Sequence, residues 1–351
     1  MSEAPTHEDL QRKVARIADQ AGDLPAKLQF TSVVDALSRS RGQLQEISDD
    51  LGRVRAKGYL YKSGLEAQLA GAADAAPGVA QELQQETRRV AGFLDDRVDD
   101  LVRRARRLAV DSDLTNDTAR IDVLEDAYRD IDKEVKEAER RVKAISAPVT
   151  KAISDVQKAV KEAVAIVDAF EGSSFDLQQG ENPVAVVEAT WEDARSGAKK
   201  GKLFLSDMRI LFEHDEEIVT KKKFIFFAAE KERVQQLLLD QPIGHLASSD
   251  DSTRGWVMKD QIVALSWDGS AGCPRKTTFE LDSGTAETWD ALIESIKDGT
   301  ISSDKVDGTP EVAAVLQFPA QCGACSGALP AAVRGQQTLT CPYCATVANP
   351  L

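Results

Sequence analysis

GKLFLSDMRILF, residues 201–212, is the stretch whose reading decides the fold. Leu203 and Leu205 alternate with other residues, and so do Ile210 and Phe212. A period of two puts each pair on one face of a sheet. Ser206-Asp207 between the runs is a short polar break, so the stretch predicts a β-hairpin. Downstream, Val257, Ile262, Ala264 and Leu265 predict later strands, and KTTFELD at 276–282 another. A helix then closes the region. Ser283 or Thr285 can cap it, and Trp289, Leu292, Ile293 and Ile296 share one apolar face. Between the hairpin and these strands, residues 221–255 read as an apolar run followed by a short helix.

This pattern resembles the second and third strands of GRAM domains, which belong to the pleckstrin-homology-like superfold. Gly201, Leu203, Leu205, Ser206, Arg209, Ile210 and Phe212 occupy the places of the family pattern. The helix with Trp289 resembles the C-terminal helix that plugs one open end of the family's barrel. The resemblance covers roughly residues 182–299. It implies a β-barrel-like domain over 184–299 that docks to membrane lipids or to proteins. A phosphoinositide headgroup requires clustered cations near the first hairpin loop. Lys199, Lys200 and Lys202 lie near that loop, and Lys221, Lys222 and Lys223 precede FIFF. These six lysines are the candidate lipid- or partner-binding residues. Phe224–Phe227 read equally as a buried strand flanked by solvated lysines, and the domain's acidic total opposes an anionic leaflet.

Upstream, residues 1–171 carry helical stripes. Leu83, Val90, Leu94, Val98 and Leu101 form one. Ile121, Leu124, Ile131, Val135, Val142 and Val149 form another, continued by Ile153, Val156 and Val160. Steps of three and four keep one seam toward a partner helix, as in a coiled coil or an antiparallel bundle. Breaks are expected at GDLP (22–25), GAADAAPG (71–78) and DSDLTND (111–117), and a kink or break near Ala147, ahead of Pro148. RRARR at 103–107 follows FLDDRVDDL, a spacing that favours ion pairs within the helices over a nucleic-acid patch. GSSFDLQQGENP (172–183) and the stretch at 300–314 read as linkers.

The last segment, 315–351, gathers four of the five cysteines. Cys322 and Cys325 form one CxxC and Cys341 and Cys344 another, fifteen residues apart. That spacing fits a zinc site, and the tail resembles a zinc ribbon. Four thiolates fill zinc's tetrahedral shell, so the expected cofactor is one structural Zn2+ with no open position for substrate. So small a module cannot bury a sufficient core and folds on its metal. Cys273 has no partner at metal-site spacing and reads as a lone thiol.

The chain has 351 residues and a net charge of −14, with no basic segment, which argues against nucleic acid as a partner. No secretory pattern opens it and no window is apolar enough to span a bilayer, so a cytoplasmic location is expected. The three histidines, His7, His214 and His245, stand apart from any nucleophile, and no phosphate-binding loop of the GxxxxGK[ST] form occurs. The sequence therefore predicts three modules: a helical or coiled-coil region, a GRAM or pleckstrin-homology-like domain, and a zinc ribbon. It predicts a non-enzymatic cytoplasmic adaptor or scaffold with protein partners and self-association. The alternative is a peripheral protein on an anionic membrane surface.

Overall fold

A computed structural model describes residues 6–111, 114, 117–193, 197–221, 230–255, 260–270, 273–306, 316–333 and 335–351. The chain forms two compact units. Met1–Asp49 with Glu66–Ala159 make the first, and Asp50–Leu65 with Val160–Leu351 the second.

The first unit is helical. Helices α1 (His7–Gly22), α2 (Leu24–Lys27), α3 (Thr31–Gly42) and the start of α4 (Leu44–Ala56) precede two long ones, α5 (Leu65–Ala109) and α6 (Thr118–Glu171). Thr6 and Asp9 cap α1 reciprocally, and Leu10, Val14, Ile17 and Ala21 are its buried face. Ion pairs Arg97–Glu134 at 2.7 Å and Arg141–Glu86 at 3.1 Å set α5 and α6 antiparallel. Arg103 and Arg104 pair with Asp100 one turn earlier, as the acid–base spacing predicted. The break expected at GAADAAPG is absent, and helix α6 is not broken near Ala147. GAADAAPG continues α5 through Pro77, and α6 runs through Pro148. An internal proline costs about 3 kcal/mol. Each fully buried aliphatic residue contributes about 1.5–3 kcal/mol, and Val142, Val149, Ile153 and Val156 flank Pro148 on one buried stripe.

Glu86 sits under two guanidinium groups. Arg89 holds its carboxyl down to about 2, and Arg141 adds to the effect. A depressed carboxylate stabilises the fold above its unfolded value of 4.5 and loses that contribution as pH falls toward 2. Melting of the wild-type chain should therefore drop over that window, and Glu86→Gln should flatten the drop. Identical acid profiles for the two proteins would contradict the pairing.

The second unit is built on one antiparallel sheet of seven strands: β1 (Pro183–Asp193), β2 (Gly197–Ser206), β3 (Arg209–Lys221), β4 (Glu230–Pro242), β5 (Leu246–Arg254), β6 (Asp260–Trp267) and β7 (Lys276–Leu281). Their order is β4-β3-β2-β1-β7-β6-β5. Strands β4 and β5 are the two ends, and the pairing described does not close the sheet into a barrel. Helix α7 (Ala286–Lys297) follows, capped by Thr285, and buries Trp289, Ile293 and Ile296 as expected. The short helix expected within 221–255 is instead strand β4, whose Leu239 is buried and whose Leu237 packs on a hydrophobic cluster.

The predicted hairpin is β2–β3, with Leu203 opposite Phe212 and Leu205 opposite Ile210. Phe212 meets Trp191 edge-on at 5.6 Å and Phe279 tilted at 5.3 Å. Phe204 and Leu211 point the other way and are also fully buried, against Phe170 and Ile166 at the end of α6 and against Phe175 and Leu177. Gly201 is required where β2 passes β3, because a Cβ there would run into the Glu213 carbonyl.

The stretch 172–183, read from sequence as a linker, is packed and bonded. The reason is Glu181, whose carboxylate is buried against Arg209. Residues 300–306 are likewise held: Asp304 accepts from the Lys62 N–H at 3.0 Å and Val306 donates to the Leu60 carbonyl at 2.9 Å. Residues 307–314 of the second expected linker lie outside the described residues. Among the described residues no helix is long and apolar enough to cross a membrane.

Candidate metal centre and docking surface

The tail folds as two matching knuckles. In the first, the Cys322 N–H donates to the Gly327 carbonyl, and the Ser326 N–H returns to the Cys322 carbonyl, both at 2.8 Å. In the second, Cys341 donates to the Thr346 carbonyl and Ala345 returns to the Cys341 carbonyl, both at 2.9 Å. Ser326 and Ala345 each adopt a left-handed φ, 59° and 58°, which turns the chain back after the second cysteine. Short pairings flank the knuckles: Gln321 with Ala328, and β8 (Leu339–Thr340) with β9 (Val347–Ala348).

This geometry aims four sulfurs at one point. All lie within 4.8 Å of one another. Cys322–Cys344 is 3.7 Å and Cys325–Cys341 is 3.5 Å, and all four cysteines are free thiols. A disulfide needs about 2.05 Å between sulfurs. A tetrahedron with Zn–S bonds of about 2.3 Å has edges of about 3.8 Å. The observed separations match the tetrahedron. Electrostatics point the same way. The Thr346 hydroxyl draws Cys344 down to about 6. At Cys325 the Gly327 backbone N–H lowers the thiol, but the Cys344 and Cys341 sulfurs outweigh it and push Cys325 up to about 12. Four adjacent thiolates need a cation to coexist. The residues present thus fit a metal held by Cys322, Cys325, Cys341 and Cys344.

The tail rests on the hairpin turn of the sheet. Gly335, at φ 82°, lies so close to Met208 that a Cβ would meet its backbone carbonyl. Gln337 donates to Gln178 at 2.9 Å. Beneath that turn lies a buried polar knot. Ser206 accepts from the Met208 and Arg209 N–H groups and donates to Glu181. Arg209 meets Glu181 through two nitrogens, at 3.0 and 2.8 Å, and Asp240 through a third at 2.8 Å. Asp207 accepts from Tyr61 at 2.9 Å, from Asn182 at 2.8 Å and from Lys305 at 3.1 Å. The Ser and Arg of the hairpin pattern therefore act as internal fasteners.

Among the described residues, three candidate lysines lie on β2, with Lys200 and Lys202 on one face and Lys199 on the other. Lys202 reaches Glu188 at 3.8 Å and Asp215 at 3.9 Å. Lys221 ends β3, with only its backbone described, and Lys222, Lys223 and Phe224–Phe227 lie outside the described residues, as do Val257 and Arg334.

The chain matches no family model and no curated protein. Solved structures similar to it contain pleckstrin-homology domains. One is the Vps36 N-terminal PH domain, at 13% identity and TM-score 0.25 over 36% of this chain and 86% of that one. Another is the Slm1 PH domain in complex with inositol-4-phosphate, at 9% identity and TM-score 0.22 over 33% and 95%. A third is the DH/PH portion of PDZ-RhoGEF in complex with activated RhoA, at 10% identity and TM-score 0.29 over 84% and 96%. These likenesses are loose. The chain's own strand order, hairpin and closing helix establish a seven-stranded antiparallel sheet followed by α7.

Folding also gathers residues that the sequence leaves scattered. His245, which follows β4, Asp268, which follows β6, and Cys273, ahead of β7, place ligand atoms within 4.8 Å of one another. The His245 Nδ1 lies 2.9 Å from Asp268 Oδ2, and the Cys273 thiol donates to Gln241 at 2.8 Å. Burial first, and then the Asp268 charge, pushes the Cys273 thiol up. Cys273 is a free thiol, as expected, and the fold sets His245 and Asp268 beside it. No metal-site spacing signalled the trio, because His245 comes from the β4–β5 connection and Asp268 and Cys273 from the β6–β7 connection.

Proposed function

We propose that the chain is a non-catalytic cytoplasmic adaptor. Its pleckstrin-homology-like domain docks to a protein, and its tail is a ribbon held by one structural Zn2+. The observation that carries protein docking over lipid docking is Lys202 held between Glu188 and Asp215, with Lys199 and Lys200 on opposite faces. A phosphorylated headgroup needs convergent, uncommitted cations. Among the described residues the first hairpin offers no such cradle. The ribbon supports the same reading, since a shell of four thiolates leaves zinc no open position for chemistry. Self-association falls to the helical unit, where Phe93 and Val123 are exposed at 65% and 61%.

Flotation with anionic vesicles tests the docking half. Wild-type protein should stay with the soluble fraction at physiological salt. Salt-sensitive flotation that disappears in K221A/K222A/K223A would replace protein docking with a membrane role. Light scattering tests the helical half: a defined oligomer is expected, and a monomeric mass would remove self-association from the proposal.

A further inference from the structure

His245, Asp268 and Cys273 stand at the rim of a cleft of about 390 Å³. One side of the cleft is the strand ends of the sheet, including Asp240 and Gln241, and the other is the tail segment that includes Leu339 and Thr340. We infer that these three side chains are a second site for a divalent transition metal of the zinc class, with three protein ligands and one coordination position open to the cleft.

Donor chemistry is the first argument. Imidazole, carboxylate and thiolate are the three ligand types that zinc takes from proteins, at bond lengths of about 2.0–2.3 Å. Ligand atoms around such an ion stand about 3.3–3.8 Å apart in a tetrahedron. Here all three atoms lie within 4.8 Å of one another, and His245 Nδ1 is 2.9 Å from Asp268 Oδ2. Small side-chain adjustments therefore suffice to enclose an ion. The scaffold is the second argument. The Asp268 N–H donates to the His245 carbonyl at 2.9 Å, which ties the two loops together. Asp268 Oδ1 accepts from the Ser270 N–H at 2.8 Å, which leaves Oδ2 toward His245. The Cys273 N–H donates to the Ser270 carbonyl at 3.0 Å, which fixes the third ligand to the same turn. Held carboxylates and tied loops are what orient metal ligands.

A nucleophilic Cys-His-Asp triad is the competing use of the same residue types. It requires the imidazole to accept the thiol proton. The Cys273 thiol instead donates to Gln241. On binding, the ion takes the place of the Cys273 thiol proton and of any proton between His245 and Asp268, so metal uptake releases protons.

The test uses the full chain, stripped by chelator under reducing conditions and titrated with Co2+, with bound metal counted by elemental analysis. Wild type should take up two equivalents. C273S and H245Q should each take up one, with the spectrum of the four-thiolate site unchanged. C322S/C341S should keep one equivalent with a single thiolate-to-cobalt band. That variant separates this inference from the ribbon reading, because its loss of one equivalent concerns the ribbon alone. Saturation of wild type at one equivalent that survives C273S and H245Q, or two equivalents in all of them, would overturn the second site.

Discussion

Replacing Cys341 with serine will release the structural metal and unfold the tail while the sheet stays folded. The tail has little else to hold it: beside Cys322 and Cys341 themselves, Leu339 is its buried apolar residue among those described. Its two hairpins are two residues long or a single bridge. Structural zinc contributes about 10–16 kcal/mol of apparent free energy to such modules near neutral pH. Hydrogen exchange makes this visible. In the metal-loaded chain the amides of Cys322, Ser326, Cys341 and Ala345 should be slow, since each is bonded within its knuckle. In Cys341→Ser, or after chelation, all four should exchange together, and the amides pairing β1, β2 and β3 should stay protected. A tail that keeps its protection without metal would show that packing on Met208 is sufficient.

Replacing Arg209 with alanine will destabilise the sheet unit by about 3–5 kcal/mol, the cost of leaving a buried carboxylate without its partner. The Glu181 side chain is fully buried and the Arg209 side chain is 5% exposed. Asp240 is 40% exposed and can return to water, so Glu181 carries most of the penalty. For a unit of this size the melting temperature should fall by roughly 10 °C. The double variant E181Q/R209M should recover much of the loss, because it removes both charges together. If it is as unstable as the sum of its single variants, the two residues do not act as a pair.

The hairpin that fixes the fold was legible because its alternation and turn chemistry are local. The same twelve residues carried a second message. Phe204 and Leu211 interrupt the alternation, so Leu203–Leu205 and Ile210–Phe212 are continuous apolar runs. Such runs belong to strands buried on both faces. They announced that something must cover the outer face, and the end of α6 with Phe175 and Leu177 does so. The linker reading of 172–183 failed for a related reason. Gly, Ser and Gln dominate its composition, and the residue that pins it, Glu181, finds its partner 28 positions away. The short helix expected within 221–255 rested on short apolar runs such as Leu237–Leu239, which do not distinguish helix from strand. Pairing with β3 decides it. The four-cysteine site was fully legible, since its ligands come in two local pairs at fixed spacing. The His245, Asp268 and Cys273 trio was not, since the pairing of β5 with β6 brings those two connections together.

The contact role proposed for the tail requires a closed metal centre with no position open to substrate. X-ray absorption at the zinc edge, on the Cys273→Ser variant so that the tail site alone reports, tests it most directly. The account predicts four sulfur neighbours at about 2.3 Å and no lighter atom in the shell. A shell that contains nitrogen or oxygen would mean an open position, and with it a centre available for chemistry.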